Sequence, residues 1–181
     1  MKRQNQIFNM VLSALFLAMA YVIPFFTGQI PQIGAMLCPM HIPVLLCGFI
    51  CGWPWGLCVG AVAPLLRSVT LGMPPLFPTA VCMAFELATY GAVAGLLHKL
   101  FPKKKGVLSV VLFYASLLVA MLAGRLVWGA AMLVCLGIKG EGFGFSVFWA
   151  GAVLNAIPGI IVQLVLIPVI VMVLERLQYS E

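Results

Sequence analysis

Charge is scarce in this chain. Only 8% of its 181 residues are charged, against roughly 25% in soluble domains, and no polar segment is long enough to make a soluble domain. Histidine occurs twice, and a single acid, Glu86, falls inside an apolar run. The dipeptide Gly-Lys never occurs, so there is no phosphate-cradling Walker loop and no ATP hydrolysis by that route. H-E-x-x-H and G-x-S-x-G are also missing, which leaves hydrolytic or metal chemistry little to work with. No enzyme activity, cofactor or metal is expected. The six cysteines, at 38, 47, 51, 58, 82 and 135, contain no C-x-x-C pair and read as small packing residues.

What the chain has in abundance is apolar sequence: 64% hydrophobic residues and a mean hydropathy of +1.18. That composition is that of an integral membrane protein. The first run, Ile7–Phe26, is about 20 residues, enough to cross a bilayer core. No small-residue cleavage site follows it, so it does not read as a signal peptide. Runs and breakers predict an all-α chain of six helices over about 6–26, 40–51, 56–72, 78–100, 107–136 and 146–177. They are expected to form one six-helix transmembrane unit over 1–181. Helix 2 is too short to span upright, so a re-entrant helix 2 fits as well.

The formal charge of +6 does not indicate nucleic-acid binding, because of where the charges sit. Lys2, Arg3, Lys99, Lys103, Lys104, Lys105 and Arg176 all lie just outside apolar runs. Under the positive-inside rule both termini and the 99–105 loop are cytoplasmic. The connections at 27–39, 72–78 and 137–145 then face outward.

Depth along each helix, at about 1.5 Å per residue, places the remaining polar residues in the outer half of the membrane. Arg67 lies roughly 8 Å below the outer end of helix 3, and Glu86 roughly 10–12 Å below that of helix 4. Asn155 is roughly 13 Å into helix 6, and Arg125 roughly 15–18 Å into helix 5. His41 opens helix 2, and Gln29 and Gln32 sit on the first outer connection. A charge at the bilayer centre costs about 2.5–3.5 kcal/mol, so such residues turn toward a bundle interior or a wet space. For Arg67 the alternatives are snorkelling to the outer headgroups or an ion pair with Glu86. For His41 a structural role weighs as much as a contact. Trp128 shares the face of Arg125 and could wall a pocket. Two arginines against one glutamate leave one positive charge over, which favours an anionic or acceptor-rich ligand. The Pro- and Gly-rich outer loops would then form a lid.

The stretch "SALFLAMA", with Ala14-x-x-x-Ala18, and the helix–turn–helix "MHIPVLLCGFICGWPWGLCVGAVAPLLRS" (40–68) resemble the substrate-binding S components of energy-coupling-factor (ECF) vitamin transporters. The second is similar to the riboflavin, folate and pantothenate branch. The resemblance covers the whole chain in length and topology. It implies a six-helix bundle in a bacterial plasma membrane that binds a vitamin near the outer face. It also implies a partner ECF module, made of a transmembrane T component and two ATPases, with Ala14 and Ala18 on the docking surface. Loop 1 (Gly28–Cys38) and Gly72–Phe77 would gate the site. Gln32, His41, Arg67, Glu86, Tyr90, Arg125, Trp128 and Asn155 are the candidate ligand contacts. The charge count puts pantothenate first, with riboflavin, folate, α-ribazole, pyridoxine and a queuosine precursor open. Two other functions compete with this one: a solitary transporter or channel, and an assembly subunit whose polar residues only join helices.

Overall fold

The computed structural model describes residues 2–27, 38–101, 107–140, 142, 144, 148–149, 151 and 156–178, and no strand occurs among the described residues. The helices are α1 (Lys2–Thr27), α2 (His41–Cys51), α3 (Trp53–Leu71), α4 (Val81–Leu100), α5 (Val107–Lys139) and α6 (Ile157–Gln178). A π-helical turn, Leu76–Ala80, leads into α4, with Phe77 extended inside it at φ −125° and ψ 129°. Among the described residues, five stretches are long and apolar enough to cross a membrane: Gln4–Phe26, Trp53–Leu71, Leu76–Leu100, Leu108–Lys139 and Ile157–Leu174.

α2 is the exception. Its 11 residues reach only about 16 Å, yet nine of them, from His41 to Cys51, are buried. It is short because it lies inside the bundle, packed against α1, α3, α4 and α6. Pro43 falls in its first turn, where a missing N–H is tolerated. The helix stops at Gly52, whose φ of 94° favours glycine. The Gly52 N–H closes on the Gly48 carbonyl at 3.1 Å, and α3 starts at the next residue.

Helices α2, α3 and α4 cross almost backbone to backbone. A Cβ on Gly56 would stand 2.7 Å from both the Gly48 Cα and the Gly91 carbonyl oxygen, and one on Gly91 would strike the Gly56 backbone. Small residues allow this approach, which supplies packing where no hydrophobic drive exists between helices. Around the seam, Leu45, Leu46, Leu87, Leu117 and Ile167 form one buried core.

The helices run up and down, so each end of the bundle gathers alternate termini. Asn9 Nδ2 donates to the Cys51 carbonyl at 3.4 Å, and the His98 and Phe113 rings lie 6.1 Å apart at one end. The Tyr21 and Thr70 hydroxyls meet at 3.1 Å toward the other, the end at which α2 begins.

The expected boundaries agree with these helices to about four residues, with one correction. Helix 6 was expected from 146, but α6 starts at Ile157. Pro158 is the reason: it fits the first turn of a helix and disrupts an interior. Phe148, Trp149 and Gly151 are also helical.

Candidate functional site

Glu86, one turn into α4, has a side chain only 2% exposed. Three groups converge on its Oε1: Arg125 Nη1 at 3.0 Å, the Tyr90 hydroxyl donating at 3.1 Å, and His41 Nε2 at 3.5 Å. Tyr90 follows Glu86 by one turn on the same face of α4, the spacing at which helical side chains meet. Gly124 admits the Tyr90 ring, because a Cβ there would overlap ring carbons Cδ1 and Cε1. That close approach brings the next residue, Arg125, to Glu86. The His41 and Tyr90 rings lie 5.2 Å apart, tilted by 58°. Thus α2, α4 and α5 each contribute to one buried cluster.

Arg125 Nη2 also reaches the Cys38 sulfur at 3.7 Å. Cys38 carries a positive φ of 47°, a conformation that costs a non-glycine residue about 1–3 kcal/mol and gathers at functional sites. Its carbonyl accepts from the His41 N–H at 3.0 Å, which ties the start of α2 to the cluster. Burial pushes the Cys38 thiol up, with Arg125 acting the other way. A packing role alone, expected from the sequence, does not describe this cysteine.

The expected surplus of positive charge is not present in the cluster. Glu86 pairs with Arg125, and Arg67 does not reach Glu86. Arg67 Nη1 donates instead to the Tyr21 carbonyl at 2.7 Å, and its guanidinium lies 4.8 Å over the Phe25 ring. Through that carbonyl Arg67 fastens α1 to α3.

Even so, the cluster keeps unsatisfied groups. Among the described residues, both ring nitrogens of His41 and Nε of Arg125 are buried without a hydrogen-bond partner. A buried polar group left unpaired costs roughly 1–3 kcal/mol, so groups of this kind gathered beside an ion pair mark a place for a ligand. Gln163, which sequence reading passed over, is in the same state. It is 1% exposed and its Oε1 has no hydrogen-bond partner. The signal was there in "IIVQLVLIP", the one amide in an apolar run.

The other candidates are dispersed. Trp128 packs on Phe148, with centroids 6.4 Å apart and planes 31° apart, and Gly151 lies close under its ring. Gln32 and Asn155 lie outside the described residues, as does most of loop 1. Within the second expected gate, Gly72 caps α3 in the left-handed region at φ 70°. Ala14 and Ala18 are exposed on α1. No group of three or more metal-binding side chains occurs among the described residues.

A family model described as ECF transporter, substrate-specific component matches residues 8–171. No curated protein and no solved structure matches the chain.

Proposed function

Because the chain belongs to the family of ECF transporter substrate-specific components, we propose that it captures a vitamin or related micronutrient at the cluster of Glu86, Arg125, His41 and Tyr90. A substrate-specific component is a multi-pass membrane subunit of a transporter and not an enzyme; it works with an ECF module and a small-molecule substrate. The observation that carries the site is the buried Glu86–Arg125 pair with His41 beside it and unsatisfied nitrogens on both Arg125 and His41. A purely structural ion pair has no use for such groups.

On this reading residues 1–181 form one binding unit in a bacterial plasma membrane, with both termini and the basic 99–105 loop cytoplasmic and the cluster toward the outside. The module comprises a T component and two ATPases and docks on α1 at Ala14 and Ala18. Pantothenate came first on an excess positive charge. With Arg125 matched to Glu86, that ground is gone, and pantothenate stands in one panel with riboflavin, folate, α-ribazole, pyridoxine and a queuosine precursor.

Native mass spectrometry of the purified protein tests the reading directly, by looking for a co-purified small molecule of this class. Gradient-driven uptake in liposomes holding this chain alone, without ATP, would overturn it in favour of a solitary transporter.

A further inference from the structure

We infer that Gln163 is a further ligand contact of this site, and that the ligand is an uncharged molecule carrying hydrogen-bond donors and acceptors together, such as a lactam, imide or amide edge. The inference rests on the binding role proposed above.

Its first support is position. The buried residues of α6 include Gly159, Gln163, Ile167 and Val171, spaced by four as one helical stripe. Ile167 and Val171 join the core that contains Leu45 and Leu46 of α2 and Leu117 of α5. Gln163 is one turn nearer the end at which α2 begins. Counted from the opposite end at about 1.5 Å per residue, Gln163 stands about 22 Å up α6, Glu86 about 21 Å up α4 and Arg125 about 27 Å up α5. The amide is therefore the polar step of the α6 stripe at the level of the cluster, on the side facing α2 and α5.

The second support is an inventory of open groups. Arg125 Nε offers one N–H, and neutral imidazole offers one donor and one acceptor. The Gln163 Oε1 offers an acceptor, and among the described residues none of these atoms has a hydrogen-bond partner. Two donors and two acceptors remain, those of Arg125 and His41 at an ion pair that is already neutral. A carboxylate or phosphate only accepts, so it would leave Gln163 and one His41 nitrogen unsatisfied and bring a second anion toward Glu86. An ammonium only donates and would leave the Arg125 N–H unsatisfied. A neutral edge that both donates and accepts serves groups of both kinds, and a second ligand donor, such as a hydroxyl, completes the set.

The test uses the full chain in lipid nanodiscs, with riboflavin (an uncharged imide) and pantothenate (a carboxylate) as titration probes against wild type, Gln163→Met and Glu86→Gln. We expect riboflavin to bind more tightly than pantothenate. Gln163→Met should weaken riboflavin about tenfold, the scale of one hydrogen bond, while raising Tm because an unsatisfied amide is removed. Gln163→Leu should repeat the loss, which guards against an effect of methionine itself. Tighter binding of pantothenate overturns the ligand class. Wild-type affinity in both Gln163 variants, with Glu86→Gln still impaired, overturns the contact and leaves the site standing. Wild-type affinity in Glu86→Gln overturns this inference together with the site on which it rests, and no binding of riboflavin to wild type overturns the ligand class alone.

Discussion

Arg125 and Arg67 sit in neighbouring regions of one bundle and are used in opposite ways. Arg125 is 15% exposed in its side chain and meets a carboxylate that is 2% exposed, so two opposite charges are withdrawn from solvent together. Arg67 is only half-buried and meets a backbone carbonyl and an aromatic face. The first is an ion pair whose members depend on each other. The second is a staple between two helices. Finding an arginine in a membrane helix therefore says that it needs a partner, and the partner decides whether the residue serves a site or the scaffold.

The sharpest way to break the comparison is to remove one member of the buried pair. Glu86→Ala leaves Arg125 buried and unmatched, and should cost about 3–5 kcal/mol of stability, read by denaturation in nanodiscs. Glu86→Ala with Arg125→Leu should recover most of that loss. A double variant no better than the single one would mean that the pair is not the reason. Next in size is the effect on function: Arg125→Ala should weaken ligand binding by about 1.5–3 kcal/mol, the range of a hydrogen bond to a charged group, in titrations with the co-purified ligand. Arg67→Ala should cost about 1.5 kcal/mol of stability, the low end of that range because water can reach the carbonyl, and leave ligand affinity unchanged. A binding defect in Arg67→Ala would erase the distinction between the two regions. Tyr90→Phe removes one donor from Glu86 and should cost about 0.5–1.5 kcal/mol. The smallest effect on binding, none, is expected for Ala14→Trp or Ala18→Trp. These exposed positions lie on α1, away from the Glu86 cluster. Their ATP-dependent uptake with the module should nevertheless fail, because a bulky ring blocks close helix approach.

Much of the bundle could be read from the chain. Apolar runs located the helices, and glycine and proline marked the turn at Gly52 and the end of α3 at Gly72. The first turn of α6 was misplaced because Pro158 interrupts an otherwise uniform apolar run. Glu86, Tyr90, His41 and Arg125 were all named as one candidate site, and they do meet. Their pairing was not legible: Arg67 was as good a partner for Glu86 by depth as Arg125. Cys38 looked like packing, and Gln163 did not stand out.

The division follows from what each kind of information encodes. Membrane insertion, helix length and depth depend on local composition, because the transfer of apolar surface and the closing of backbone hydrogen bonds act within a segment. The sequence alone therefore determined that this is a multi-helix membrane protein with polar residues held at one level, and its motifs carried the family. Which of those residues touch was decided only in the tertiary structure. It depends on how far neighbouring helices approach and rotate, and here glycines set that. Gly124 lets the Tyr90 ring close on α5 and brings Arg125 to Glu86, while Arg67 is held at the Tyr21 carbonyl instead.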